Sequence, residues 1–323
     1  MKSFMSKVLL FYICLYEGQT MIIDGGIYFI FYGSNSSDYV NTTLNYDFVS
    51  LQNTNYFNMS KPTAIFNHGW IYDVHTDIYV ALAEAYLSRG DYNYIAIDWS
   101  KYSHDINYPE LVTSINDQAA LIVSILIQMQ TAGFNLTTFH FIGHSFGAQI
   151  FGRVGYQLIQ NYNFTPTRIT GLDPAGPMFG NFNEWPTSPI ALLYPSLNIL
   201  NAKFVDIIHT DRYKNSEDYS AGHMDFWPNT GAYQPGCSIF CDTQDYNCLV
   251  CSHNRAVKYY TESIQSGSVR KFKSNLCSGL GYDIGLCFGS VASMGFYADK
   301  YSANPGNYSL TTNSVSPYSV SNA

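Results

Sequence analysis

One stretch, Thr138 to Gly152 (TFHFIGHSFGAQIFG), constrains the fold of this chain more than any other. Its apolar opening, Phe139-His140-Phe141-Ile142, reads as a buried strand. Its end, Ala148 to Gln160, is compatible with a helix, with Ile150, Val154, Leu158 and Ile159 among small residues. Between them lies Gly143-His144-Ser145-Phe146-Gly147. A serine on so sharp a strand-to-helix turn sits at strained backbone angles. The glycines on either side keep Cβ atoms out of the places where strand and helix nearly touch. The turn lifts Oγ above the sheet edge and points the first helical N–H groups at the same spot, so Ser145 is a candidate nucleophile.

The rest of the chain repeats the strand-then-helix theme. Strands are predicted at Ile27–Tyr32, Thr63–Phe66, Tyr94–Ile97, Arg168–Leu172 and Lys203–Ile208, and helices at Thr76–Ser88 and Ile115–Gln130. Strands separated by helices of this length predict an α/β fold, a central mostly parallel sheet flanked by helices on both faces. No linker, repeat or low-complexity tract divides it, so residues 21–323 are expected to form a single domain. The tail from Asn304 onward is expected to be an edge strand or irregular.

Composition narrows the class. Lys and Arg total 16 against a net charge of -8, which argues against a nucleic-acid partner. Residues 1–20 read as a signal peptide: Lys2 and Lys7 precede the apolar Val8 to Leu15, a run too short to span a bilayer. No later stretch is long and apolar enough to be a transmembrane segment, so a secreted, extracellular protein is expected. Beyond that segment the cysteines are Cys237, Cys241, Cys248, Cys251, Cys277 and Cys287, an even cluster that fits disulfides in an oxidising compartment better than a zinc site. Sequons at Asn35, Asn41, Asn58, Asn135, Asn163 and Asn307 agree with glycosylation along the secretory route.

A nucleophilic serine needs a base and a group to orient it. In an open α/β sheet, ligands gather beyond the carboxyl ends of the strands. Asp173 sits there, directly after Ile169-Thr170-Gly171-Leu172, and Pro174 holds the preceding backbone extended. Among the histidines, His140 lies inside a strand, and the side chain of His144 should diverge from Oγ. His253 follows Cys251-Ser252 in the cysteine-rich loop, where rigid positioning would serve a catalytic ring. The order Ser145, Asp173, His253 is that of serine hydrolases on such a sheet. His209, Asp211, His223 and Asp225 are expected to pin loops by hydrogen bonds rather than bind metal.

The motifs together resemble those of the pancreatic lipase family, from about Gly26 to Leu310. The matching stretches are Phe66-Asn67-His68-Gly69-Trp70, Ile97-Asp98-Trp99-Ser100, Ile142 to Ala148, Arg168 to Pro177, Val205 to Asp211, Gly222 to Asn229, Gln234 to Cys237 and Cys251 to Ala256. The resemblance implies an α/β-hydrolase fold and an ester hydrolase with Ser145 as nucleophile, Asp173 as acid and His253 as base. It assigns the oxyanion donors to the backbone N–H groups of Trp70 and Phe146, and it calls for no cofactor. Two departures stand out, Phe146 where the family has leucine and Gln149 where it has histidine. Many relatives hold calcium where this chain reads Ser196 to Ala202, with Asn198 and Asn201 in place of carboxylates, so no metal is expected. The chain stops before a C-terminal β-sandwich domain, so no colipase partner is expected either.

Disulfides Cys237–Cys251, Cys241–Cys248 and Cys277–Cys287 follow from the resemblance, although six cysteines leave the inner pairing open. In the family, the segment matching Cys237 to Cys251 covers the site, and its length tracks substrate preference. Here it is short, and Asp242, Gln244, Asp245 and Asn247 make it polar. That favours release of the sn-1 acyl chain of phospholipids at a membrane or lipid-droplet surface. A neutral glyceride lipase is the alternative, and a silent yolk-type carrier is a further one that the intact Ser145, Asp173 and His253 argue against.

Overall fold

The computed structural model describes residues 26–105, 107–179, 195–242, 244–265, 272–279, 281–299 and 304–320. The expected signal peptide, residues 1–20, lies outside them. Eleven strands form one sheet: β1 (Tyr28–Tyr32), β2 (Tyr39–Thr42), β3 (Thr63–Asn67), β4 (Asn93–Asp98), β5 (Phe139–His144), β6 (Arg168–Leu172), β7 (Val205–Ile208), β8 (Met224–Pro228), β9 (Phe272–Leu276), β10 (Val291–Met294) and β11 (Gly306–Leu310). Their order is β10-β9-β11-β8-β7-β6-β5-β3-β4-β1-β2. From β11 to β4 every neighbouring pair is parallel, and antiparallel strands close both flanks.

Among the described residues, four long helices cover the faces: α1 (Asp77–Arg89), α2 (Ile115–Thr131), α3 (Phe146–Tyr162) and α4 (Cys251–Gln265). The period-two alternation of strand side chains divides the core into two layers. Ile65, Ile95, Phe141 and Ile207 pack under α2 and α3. Their neighbours Phe66, Ala96, Ile142 and Ile208 face α1 and α4. Because both faces are covered, the central strands are apolar without alternation, and this made them readable as short continuous runs.

Two expectations need correction. The tail is not at the edge: β11 inserts between β8 and β9 and pairs with both. His253 does not stand in a loop but in the first turn of α4. That turn, Ser252-His253-Asn254-Arg255, is polar throughout, and the apolar face of the helix begins only after it, with Ala256, Val257, Tyr260 and Ile264 in the core.

Candidate active site

Ser145 joins β5 to α3 at φ 55° and ψ -124°, a conformation that L residues rarely adopt. Its N–H donates to the Leu172 carbonyl at 3.0 Å, which locks the turn to β6. The glycines explain why the turn can exist. A methyl group on Gly147 would run into the carbonyl oxygens of Asn67 and His68, and one on Gly143 into the backbone of Ala148. The turn therefore seats itself against the end of β3.

Asp173 follows β6 at φ 48°, a left-handed conformation rather than the extended one expected before Pro174, and is fully buried. Its Oδ1 accepts from the N–H groups of Thr210, at 2.5 Å, and Asp211, at 3.1 Å, both just past β7. Its Oδ2 lies 2.6 Å from Nδ1 of His253. Two backbone donors fix the carboxylate in place, and it in turn fixes the ring that leans on it. With Nδ1 engaged, Nε2 is the nitrogen His253 has left for a proton from a substrate or a nucleophile.

His253 is held from several sides. The Cys237–Cys251 disulfide ends two residues before it, and Ser252 Oγ accepts from the Gln234 N–H at 3.1 Å. The His253 carbonyl accepts from Nε2 of His144 at 3.3 Å. A carbonyl can only accept, so His144 carries its proton on Nε2 and its Nδ1 accepts from the Tyr79 hydroxyl at 2.8 Å. Burial drives the His144 imidazole well below its ordinary range, keeping it neutral. His144 thus spends both ring nitrogens away from Oγ and supports the backbone of His253.

Trp70 and Phe146 flank Ser145, from the loop after β3 and at the start of α3. That loop is pinned: the Trp99 N–H donates to Nε2 of His68 at 3.1 Å, Trp99 Nε1 donates to the His68 carbonyl, and the two rings stack at 4.7 Å. Phe146 packs its ring against Trp99, Tyr108 and Phe179 at centroid distances of 5.6, 5.8 and 5.6 Å. The larger residue at this position fills an aromatic cluster beneath the turn. Ser145 and His253 open onto one cleft of about 280 Å³, walled by Trp70, Tyr72, Tyr108, Pro177 and Tyr246.

The cysteines pair as Cys237–Cys251, Cys241–Cys248 and Cys277–Cys287, the set expected. Among the described residues, the first loop holds one short helix, Tyr246–Leu249, started by the Asp245 side chain accepting from the Cys248 N–H. The loop is less polar than its sequence suggested. Phe240 is 84% exposed and Ile239 55% exposed at its tip, and Tyr246 faces Tyr72 across the cleft at 6.3 Å.

Other residues settle into supporting positions. His209 Nε2 meets Asp225 Oδ1 at 2.8 Å and stacks on Trp227 at 3.8 Å, and His223 Nδ1 accepts from the Val205 N–H. These pin loops, as expected; Asp211 also holds its loop, accepting from Asn215 Nδ2 at 2.6 Å, and in addition lies against Asp173 and His253. Asn198 and Asn201 turn their amide oxygens to backbone N–H groups of Leu200 and Asn198. Of the sequon asparagines, Asn35, Asn41, Asn58, Asn135 and Asn163 are exposed. Asn307 is half-buried, and its Oδ1 accepts from Trp227 Nε1 at 2.8 Å.

Sequence reasoning missed the use made of Gln149. Its Nε2 donates to the Ala175 carbonyl at 2.7 Å and to Glu217 Oε1 at 2.8 Å, while its Oε1 accepts from the Leu197 N–H. Burial raises the Glu217 carboxyl to about 8, so it is a neutral acid inside this clip. The clip fixes the loop after β6, which carries Asp173, to α3, which carries the serine turn.

The profile of the lipase family matches residues 19–318. The chain is 31% identical over 258 residues to lipase member H of Rattus norvegicus, covering 76% of this chain and 52% of that protein. It is 33% identical over 250 residues to lipase member H of Danio rerio (70% and 52%) and 30% identical over 272 residues to pancreatic triacylglycerol lipase of Myocastor coypus (76% and 55%). It spans about half the length of these relatives. Among solved structures, an esterase of Pyrobaculum calidifontis is similar at 12% identity with a TM-score of 0.34, covering 64% of this chain and 77% of that one. With the profile matched along nearly its whole length, and the relatives shared across three quarters of it, the chain belongs to the lipase family of pancreatic lipase type.

Proposed function

We propose that this chain is a secreted serine carboxylic-ester hydrolase acting on glycerolipids, with Ser145 as nucleophile, His253 as base and Asp173 as its orienting acid. The observation that carries the reading is the 2.6 Å bond from Asp173 to His253 Nδ1 beside a serine held at φ 55° in the same cleft. His253 Nε2 takes the Oγ proton as Oγ attacks the ester carbonyl. The N–H groups of Trp70 and Phe146 receive the developing oxyanion, a contribution of about 3 kcal/mol per donor in such sites. Collapse of the tetrahedral intermediate passes the proton from His253 to the departing alkoxide and leaves an acyl ester on Ser145. Water, deprotonated by the same ring, then releases the fatty acid.

The preferred substrate is a phospholipid cleaved at the sn-1 position. The short, doubly stapled loop Cys237–Cys251 supports this, because it has no room for a long amphipathic helix to close over the cleft. An open cleft lined by Asn215 and three tyrosines leaves space for a polar head group. Export is supported by the three disulfides.

The test compares the protein and Ser145→Ala on phosphatidylcholine vesicles and on emulsified triolein, with products resolved by position. Expected are 2-acyl lysophospholipid from the parent and a loss of at least about a thousandfold in the variant. Triolein cleavage without lysophospholipid would replace the phospholipid reading with a neutral glyceride one, and full turnover in Ser145→Ala would remove the nucleophile.

A further inference from the structure

The buried space behind the base holds one carboxyl more than the mechanism above uses. Asp211 follows β7 by three residues and is fully buried. One carboxylate oxygen each of Asp211 and Asp173 and a ring nitrogen of His253 all lie within 4.8 Å of one another. The Asp211 N–H is one of the two that bind Asp173 Oδ1. Its side-chain Oδ2 accepts from Asn215 Nδ2 at 2.6 Å, and its Oδ1 is buried with no hydrogen-bond partner. Asn215 in turn lines the cleft.

Two carboxylates and one imidazole in so small a buried volume cannot all choose their charges independently. Asp173 has two backbone donors and the ring to stabilise its charge, whereas Asp211 has one amide. Burial first, and the charge of Asp173 second, hold the Asp211 carboxyl above its ordinary range, while His253, Asn215 and Lys214 pull the other way. Among the other titratable side chains of these loops, Arg212 pairs with Asp283 and His209 bonds to Asp225.

We propose that Asp211 is a positioning residue of the site, a second carboxyl that shares one proton with the His253 ring and so sets where on the pH scale that ring is free to act as base. With the proton on Asp211, the ring is neutral and can accept from Ser145. With the proton on the ring, Asp211 is anionic and the base is blocked. Fully deprotonated, the site keeps a working base with an extra negative charge behind the imidazolium of the transition state. The inference rests on the reading of Ser145 as nucleophile and His253 as base.

The test uses the full chain with Asp211→Asn, which keeps the shape and can accept from Asn215 through its own amide oxygen. An amide cannot take part in the exchange, so the acid limb of kcat/KM on a soluble ester should move about one pH unit lower. The alkaline plateau should fall below the parent's, because the added charge is gone. A residue that merely filled space would scale the profile without moving it. The second measurement needs no turnover: carbon NMR of protein labelled at aspartate carboxyls in the Ser145→Ala background. One aspartate signal should titrate above the ordinary carboxylate range and vanish in Ser145→Ala/Asp211→Asn. Superimposable pH profiles overturn the inference, as does a labelled protein in which every aspartate titrates in the ordinary range; the second result applies even if Asp211→Asn fails to fold. Turnover surviving in Ser145→Ala overturns the underlying reading along with it, whereas unmoved profiles with an inactive Ser145→Ala overturn the inference alone.

Discussion

A single methyl group on Gly147 is the smallest change that should disable the serine turn. It would meet the carbonyl oxygens of Asn67 and His68, so either β3 retreats or the turn opens. Gly147→Ala should cost about 3 kcal/mol of stability, the upper end of ordinary overpacking, and lower ester turnover with it. A thermal melt and a rate on a soluble ester check this; parent values for both would refute the account of the turn. Residues of this kind are legible in the sequence because Gly143, Ser145 and Gly147 stand within five positions as one pattern, even though the atoms Gly147 must clear belong to Asn67 and His68. Asp211 and Gln149 were not legible in the same way. Asp211 acquires its character from a loop after β6 and a helix forty residues later, and Gln149 from three loops that meet only in the folded chain. An acid or an amide in a sequence carries no mark of such company.

Among the elements, α4 has the most to lose from loosened ends. Its first turn carries His253, and the Cys237–Cys251 disulfide anchors that turn to the chain leaving β8. The double variant Cys237→Ser/Cys251→Ser should therefore lose activity before secondary structure. A base displaced by about 1 Å costs on the order of a hundredfold in rate. The sheet, whose core does not include that loop, should keep its circular dichroism at the same temperature. Parallel loss of rate and ellipticity during heating would show that the disulfide holds the whole fold rather than the His253 turn. The elements also divide by legibility. Strands β3 to β7 are short apolar runs, buried on both faces, and stood out in the sequence. Strand β9 has the burial pattern of an element covered on one face, and its Lys273 and Asn275 hid it. The helix of His253 begins with polar residues among cysteines, which reads as a loop until the hydrogen bonds to Gln234 and His144 are seen.

Across the whole molecule, Glu217 ties stability to pH. Its carboxyl is raised from 4.5 in the unfolded chain to about 8 in the fold, by burial above all. Between those values the folded state keeps a proton that the unfolded state has released. Its contribution is fully present below about 4.5 and is lost as pH rises through about 8. Glu217→Gln should flatten this slope, giving a melting temperature that declines less from pH 5 to pH 8 than the parent's; equal slopes would mean that Glu217 is charged in the fold. The connectivity of the sheet has a consequence for how the chain is made. Strand β8 is complete by residue 228, yet its outer neighbour β11 comes from residues 306–310, and β9 reaches the sheet through β11. While a chain is being synthesised, β8 therefore waits with a bare edge of N–H and C=O groups, and with Phe226 and Trp227 uncovered on that side. The helix bearing His253 emerges during that wait. A ribosome that stalls before residue 310 leaves a nascent chain with an open apolar edge, the kind of template on which another chain aggregates and which chaperones hold.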